Sequence, residues 1–119
     1  MSSQLTAQPD EHRTDCGGEP EKLVPDARVL EESVLLLKGF SDITRLTILC
    51  LLREGEVCVH DIVDALDISQ SGVSHQLRIL RDARLVRSRK EGRHVYYRLA
   101  DEHVELLLEN ALSHGAEMT

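Results

Sequence analysis

The segment 69–99 constrains the fold of this chain more than any other part. Its first half, Ser69–Arg81, has apolar residues at helical spacing, with Val73, Leu77 and Leu80 at positions i, i+4 and i+7. Its second half holds two strand-like runs separated by a glycine-containing turn, which is typical of a β-hairpin. These runs are Leu85–Lys90 and His94–Leu99, joined across Glu91-Gly92-Arg93. The segment therefore predicts a short amphipathic helix, with Ser69 as its N-cap, followed by a hairpin.

The face of this helix opposite the apolar stripe carries short hydrogen-bonding groups and cations, and no acid. Such a face is either a solvated surface or a surface that fits the major groove of DNA, with the hairpin on the flanking phosphates. We predict the second. The expected base contacts come from Gln70, Ser71, Ser74 and His75, and the expected phosphate contacts mainly from Arg78, Arg89, Lys90 and Arg93.

Charge is strongly segregated along the chain, which favours the DNA-binding interpretation. Residues 69–99 contain eight Lys or Arg and two acids, a net charge of +6, whereas the whole chain carries −7. Because salt screens charges over about 8–10 Å, the local charge governs contact with phosphates. The segment predicts a phosphate-binding surface on an otherwise acidic protein.

The rest of the chain predicts one domain preceded by a polar arm. Residues 1–24 contain Pro, Gly and polar residues without periodicity and are expected to be a flexible arm, while 25–117 form the domain. The chain has no membrane-length apolar run and no export pattern, and it has three cysteines. We therefore expect a cytoplasmic protein with reduced thiols.

Helical periodicity recurs on both sides of the central segment. It predicts helices over about 25–40, 41–52 and 57–66, a turn at 67–69, and a last helix from an Asp101 cap to about residue 113. Helix, short turn, helix and hairpin together make a winged helix-turn-helix, mainly α with a small β-hairpin wing. The first and last helices have more apolar residues than one buried stripe requires, so we expect a homodimer through both.

The last helix carries metal-ligating residues near both of its ends. Asp101 and His103 lie near one end, and His114 and Glu117 near the other. His103 and His114 are about 16 Å apart along the helix axis, so the two ends cannot share one ion. In an antiparallel copy with a two-fold axis near residue 109, Asp101 meets Glu117 and His103 meets His114 of the other protomer. Two imidazoles and two carboxylates in a tetrahedron fit Zn²⁺, with Co²⁺ as a substitute. The alternative is a helix cap and unrelated surface histidines.

A second group of ligand types surrounds the predicted third helix. Its members are Cys58, His60 and Asp61, with Cys16 and His12 of the arm as further donors. Two thiolates in one site favour softer ions such as Cd²⁺ or Pb²⁺, or a second Zn²⁺. The alternative for Cys58 is a small buried side chain without a ligand role.

These motifs together resemble the ArsR/SmtB family of metal-sensing transcriptional repressors over about residues 26–117. The matching segments are Asp42–Leu46, Glu56–Asp61, Ser69–Leu77 and Gly92–Tyr97, then Asp101-x-His103 with His114-x-x-Glu117. The resemblance implies a homodimer that binds a palindromic operator when metal-free and is released by metal. Its zinc-sensing branch binds the ion between paired last helices, with His114 donating to the main-chain carbonyl of Arg84.

The chain departs from the family pattern at two places, and the first affects which metal is expected. Members of the cadmium, lead or arsenic type have Cys-Val-Cys where this chain has Cys58-Val59-His60, which disfavours a soft metal. The usual Asp-Pro before the second helix is Asp42-Ile43 here.

The leading hypothesis is a Zn²⁺-released repressor. The alternatives are a DNA-binding dimer that responds mainly to Cd²⁺ or Pb²⁺ through Cys16 and Cys58, and one without a metal response. A zinc hydrolase is excluded, because four protein ligands leave no position for a reactive water.

Overall fold

The computed structural model of this chain describes residues 17–119, and the predicted mainly α fold with a small β-hairpin is confirmed there. In chain order the elements are a 3₁₀ helix at Pro20–Leu23, α1 at Ala27–Phe40, α2 at Ile43–Leu51, β1 at Val57–Cys58, α3 at Val59–Ala65, α4 at Gln70–Asp82, β2 at Val86–Glu91, β3 at His94–Leu99 and α5 at Glu102–Glu117. Within this part of the chain no helix is both long and apolar enough to cross a bilayer.

The chain divides into two compact units, Met1–Ser33 and Val34–Thr119. The described part of the first unit contains the 3₁₀ helix, within the segment predicted as an arm, and the first turns of α1. His12 and Cys16, two predicted ligands, lie outside the described residues. The second unit contains the core and all the other predicted site residues.

The core of the second unit is aliphatic and joins the helices to the sheet. The predicted stripe of α4 is completely buried, with Val73 and Leu80 at 0 % exposure and Leu77 at 2 %. Burying each such side chain is worth about 1.5–3 kcal/mol, so this stripe holds α4 in one orientation. The other buried residues are Ile48, Leu49, Leu52, Ile62, Leu85, Val86, Tyr97, Leu99, Ala100, Val104 and Leu108.

Both ends of α4 have defined caps. At the start, the Ser69 hydroxyl accepts a hydrogen bond from the Gly72 amide at 3.0 Å, as predicted. At the end, the Leu85 amide donates to the Leu80 carbonyl and the Arg84 amide to the Arg81 carbonyl, both at 2.9 Å. This is a Schellman motif, and it places Arg84 at φ 63°, a conformation in which glycine is usual. The chain therefore turns sharply from α4 into β2.

The wing has one strand more than predicted. The expected helix over 57–66 begins only at Val59, because Val57 and Cys58 form β1 instead and pair with Tyr97 and Tyr96 of β3. The sheet order is β1-β3-β2, entirely antiparallel. Two residues are too short a run to show strand periodicity, so pairing with β3 decides their conformation.

Two predicted boundaries also shift. The first hairpin strand runs from Val86 to Glu91 rather than from Leu85 to Lys90, and the turn is Gly92-Arg93 with Gly92 at φ 62°. The last helix continues beyond residue 113 to Glu117. The helix is thus unbroken between the two predicted ligand pairs.

Gly39 of α1 allows a close approach to the turn after α4. A Cβ atom at this position would lie 2.6 Å from Leu85 Cδ1 and 3.1 Å from Ala83 Cβ. Gly39 is itself buried. The last turn of α1 and the end of α4 therefore pack more closely than any residue with a side chain would permit.

We predict that Gly39→Ala destabilises the protein by about 1–3 kcal/mol, because the steric overlap outweighs the gain in helix propensity. Urea unfolding at one fixed protein concentration measures this. In a Leu85→Ala background the clashing methyl is absent, so the same substitution should cost clearly less. Equal costs in both backgrounds would contradict a clash with Leu85.

Candidate functional site

A cleft of about 890 Å³ lies between α4 and the inner face of the wing. One wall is the polar face of α4, and the other is β3, where Val95 and Tyr97 point inward. Six of the eight predicted DNA-binding residues line it: Gln70, Ser71, Ser74, His75, Arg78 and Arg93. Because the apolar stripe of α4 is buried on one side, the polar face on the other side of the helix lines this cleft.

The cleft is cationic and includes residues outside the predicted set. Arg78, Arg81 and Arg93 line it, and none of its lining residues is an acid. Arg81 lies on the polar face of α4 and could have been included from helical spacing. His60 also lines the cleft, and only the packing of α3 against the wing brings it there. This arrangement offers hydrogen-bonding groups and positive charge on one concave surface.

Arg89 lies on the opposite, outer face of the wing. Its Nε donates to Glu56 Oε2 at 2.7 Å and its Nη1 to Glu91 Oε1 at 2.6 Å, while its guanidinium lies 4.7 Å from the centre of the Tyr96 ring. The hydrogen bond from Arg89 lowers the pKa of the Glu56 carboxyl. Neither Arg89 nor Lys90 lines the cleft, and their phosphate contacts remain predictions.

Arg45 of α2 connects three helices. Its guanidinium donates to the carbonyls of Gly39 and Lys38 at the end of α1, at 3.0 and 3.1 Å, and to Gln76 Oε1 of α4 at 3.0 Å. It thereby satisfies carbonyls that the last turn of a helix leaves without partners. Arg45 was predicted only as part of a motif, since its long-range partners cannot be derived from sequence spacing. It holds α4 in position from behind the cleft.

The predicted ligands of α5 form two separate pairs. His103 Nδ1 lies 3.7 Å from Asp101 Oδ1 at the start of the helix, and His114 Nδ1 lies 3.8 Å from Glu117 Oε1 at its end. The two imidazoles are 95 % and 78 % exposed. Each pair faces solvent and offers one imidazole nitrogen and one carboxylate oxygen. This is half of a four-ligand set suited to Zn²⁺, and we call it a half-set.

Asp101 also has a structural role. Its Oδ1 accepts a hydrogen bond from the Val104 amide at 3.1 Å, which caps α5.

A bidentate ion pair holds α5 further along, where Arg53 Nε and Nη2 donate to Glu109 at 2.8 and 2.9 Å. The hydrogen bond from Arg53 lowers the pKa of Glu109. The ion pair is therefore complete above the ordinary glutamate pKa and is lost as the pH falls through the lowered value.

Cys58 contacts a histidine that was not among its predicted partners. Its Sγ lies 3.8 Å from Nδ1 of His94, the first residue of β3. His60 and Asp61 follow in the first turn of α3, and both are exposed. Among residues 17–119, no three His, Cys, Asp or Glu side chains already surround a common metal position. In this part of the chain the candidate ligands therefore lie together at most in pairs.

Comparison with known proteins identifies the family to which this chain is similar. Residues 42–88 match the family model described as bacterial regulatory protein, arsR family. The chain is 43 % identical over 96 residues to a transcriptional repressor SmtB homolog of Synechocystis, covering 78 % of this chain and 73 % of that protein. It is also 43 % identical over 84 residues to a cadmium resistance transcriptional regulatory protein CadC homolog of Staphylococcus aureus, covering 70 % and 69 %.

A solved structure resembles most of this chain. It is the NMR structure of a homodimeric winged helix-turn-helix DNA-binding domain from Mycobacterium bovis, a possible ArsR-family transcriptional regulator. The TM-score is 0.73 at 31 % identity, with 86 % of this chain and 91 % of that one covered. The predicted winged helix-turn-helix architecture is thereby confirmed.

We predict that Asp101→Ala lowers the stability of the protein by about 1 kcal/mol, because the cap of α5 loses its acceptor. Asp101→Asn keeps an oxygen acceptor and should be close to neutral. Thermal unfolding of the metal-free protein measures both. An Asn variant as unstable as the Ala variant would contradict the capping role and point to a need for the negative charge.

Proposed function

This chain belongs to the arsR family of bacterial regulatory proteins, and from that membership we propose that it is a Zn²⁺-released transcriptional repressor that binds operator DNA as a homodimer. The family consists of transcriptional regulators rather than enzymes. A repressor of this kind acts on the chromosome, so we assign it to the cytoplasm. The observation that carries the metal proposal is the pair of exposed half-sets of ligands at the two ends of the unbroken helix α5.

The cleft supports the DNA-binding part of the proposal. Ser71, Ser74 and His75 near the start of α4 supply groups that hydrogen-bond to base edges in the major groove. Arg78 and Arg93 supply charge for the phosphates at the sides of the groove. A palindromic operator follows from the two-fold symmetry of a dimer, whose two α4 helices enter successive major grooves about 34 Å apart.

Exposed apolar side chains support the dimer. Val34, Leu35 and Leu37 of α1 are 49–56 % exposed, and Leu106 of α5 is 62 % exposed. Large apolar residues exposed on two helices of one small domain are typical of an interface with a second subunit. We therefore assign the dimer interface to α1 and α5, which also brings the ligand pairs of two α5 helices together.

The zinc site consists of Asp101 and His103 of one protomer with His114 and Glu117 of the other. Antiparallel α5 helices centred near residue 109 pair the two ends in this way, which makes two equivalent sites per dimer. Bound by these four residues, zinc would link the α5 helices of the two protomers. Co²⁺ is expected to replace it in the same site.

Zinc releases DNA only if it binds the DNA-free conformation more tightly than the DNA-bound one. A ligand imidazole usually donates its second N–H to an oxygen acceptor. We assign this acceptor to the carbonyl of Arg84, which lies at the strained turn directly after α4. Zinc on His114 would then act on the end of α4 and change the spacing of the two recognition helices.

A soft-metal response is the second candidate function, favoured by two observations. One is the proximity of Cys58 and His94, and the other is the similarity to a cadmium resistance regulatory protein. In this alternative, Cys16 and Cys58 bind Cd²⁺ or Pb²⁺, with His12, His60 and Asp61 as further donors. The two candidate functions differ in which substitution should abolish the release of DNA by metal.

We predict that Arg93→Ala weakens binding to operator and random DNA alike and lowers the salt slope by about 1, because one phosphate contact is lost. Fluorescence anisotropy across a salt series measures both quantities. Arg89→Ala is the matched control and should have a smaller effect, since Glu56 and Glu91 already neutralise Arg89. Equal effects would mean that these ion pairs open on DNA and that Arg89 binds phosphate.

We predict that His114→Gln leaves operator binding intact but abolishes its relief by zinc, because a zinc ligand and its connection to Arg84 are both lost. Operator binding titrated with Zn²⁺, together with metal competition, measures this. Asp101→Asn keeps the helix cap and should weaken zinc binding while keeping the coupling. A His114→Gln protein that still leaves DNA at stoichiometric zinc would refute the mechanism, and release abolished by Cys58→Ser instead would favour the soft-metal alternative.

A further inference from the structure

The last turn of α1 is joined to α4 at two different points along α4. At the end of α4, Gly39 packs so closely that a Cβ atom added to it would lie 2.6 Å from Leu85 Cδ1 and 3.1 Å from Ala83 Cβ. In the middle of α4, Arg45 Nη1 donates to Gln76 Oε1 at 3.0 Å, and the same guanidinium is bonded to α1. Positions 76 and 83 are about 10 Å apart along the helix axis.

The guanidinium of Arg45 gives the second of these joints a fixed direction. Its Nε and Nη2 donate to the carbonyls of Gly39 and Lys38 in the last turn of α1, whereas its Nη1 donates to Gln76. Because all the N–H groups of a guanidinium lie in one plane, the group itself sets the direction from α1 to α4. Arg45 is half-buried, so its bonds are stronger than bonds in bulk water.

Two joints fix the angle between α1 and α4, which one joint would leave free. With the contact at Ala83 alone, α4 could pivot about its own end. Ser71, which lines the cleft, precedes Ala83 by twelve residues, or about 18 Å along the axis. A pivot of about 10° would therefore move the start of α4 by about 3 Å, close to the rise of one base pair. The bond between Arg45 and Gln76 opposes this pivot.

The last turns of α1 also connect this angle to the second protomer. Val34, Leu35 and Leu37 are the exposed apolar residues that we assigned above to the dimer interface. In a two-fold dimer the same surface of α1 is used by both protomers, so the angle between α1 and α4 occurs twice, related by symmetry. This angle sets the distance and the relative direction of the two α4 helices that enter the DNA.

We propose that Arg45 is a positioning residue that determines which spacing between the two halves of an operator the dimer accepts. It acts through Gln76, while the base and phosphate contacts belong to other side chains. With the bond in place, an operator of the wrong spacing engages only one of the two α4 helices. Without the bond, α4 pivots and the dimer also accepts neighbouring spacings. The inference rests on the dimer interface of the proposed function and does not involve the zinc site.

The test compares duplexes that differ only in the distance between the operator halves. The full-length wild-type protein first selects an operator from a pool of random duplexes. Its affinity is then measured, at one salt concentration and with a chelator present, for this operator, for the same operator with one base pair inserted at the centre, and for a single half. We expect the insertion to cost the wild-type protein at least about tenfold in affinity, because the second α4 misses its half of the site.

Gln76→Ala and Arg45→Lys should both reduce this discrimination. We expect the insertion to cost either variant less than about threefold, since neither retains the planar link between the helices, while the affinity for a single half stays within about threefold of wild type. The double variant should discriminate no worse than the single ones, because all three lack the same bond. Gln76→Glu is the matched control: it keeps an acceptor for Arg45 and should discriminate like the wild-type protein.

Two results would overturn the proposal. One is an equal loss of affinity for all three duplexes in both variants, which is the effect of a purely structural role. The other is wild-type discrimination retained by both. If the wild-type protein itself binds both spacings equally, the palindromic operator of the proposed function is refuted together with this inference, so the two failures differ in the wild-type result. Sedimentation and circular dichroism check that each variant is a folded dimer, and if Arg45→Lys is not, Gln76→Ala decides alone.

Discussion

The burial of one side of α4 is the constraint on which the rest of the structure depends. Val73, Leu77 and Leu80 pack into a core shared with α2, α3, α5 and the sheet. Because the three residues lie on one stripe, their burial determines the rotation of α4 and turns the polar face into the cleft. Arg45 adds a directional restraint by bonding to Gln76 on α4 and to the end of α1. A rigid helix with one solvent-facing polar surface is what recognition of base edges requires.

The two faces of the wing carry different groups of side chains, because residues alternate between the faces along each strand. Its inner face, with Val95 and Tyr97, forms a wall of the cationic cleft. Its outer face carries Arg89 with its carboxylate partners, and Cys58 beside His94. Since neighbouring residues on a strand point to opposite faces, two adjacent cations such as Arg89 and Lys90 cannot share one environment. The net charge of residues 69–99 is therefore larger than the charge on the surface that faces the cleft.

The candidate ligands on α5 connect the proposed metal site to quaternary structure. The helix continues to Glu117 and holds its two exposed pairs at opposite ends, too far apart for one ion. A protomer of this kind offers only half-sets, so tight binding by all four residues needs a second copy. The contact between Cys58 and His94 is different, because β1 and β3 of one protomer bring these two side chains together. The α5 residues thus need a second protomer to meet, whereas Cys58 and His94 meet within one protomer.

Local periodicity determined the elements that bury a complete stripe, whereas long-range pairing determined the rest. The helical spacing in 69–81 was sufficient to predict α4, its Ser69 cap and five of the residues that line the cleft. Val57 and Cys58 were predicted as helix and form a strand, because two residues carry no period of their own and β3 supplies their hydrogen bonds. For the same reason the pairing of Arg89 with Glu56, and of Cys58 with His94, followed only from strand register. Sequence determines which faces are apolar, and tertiary structure decides which distant residues meet, because that depends on the packing of whole elements.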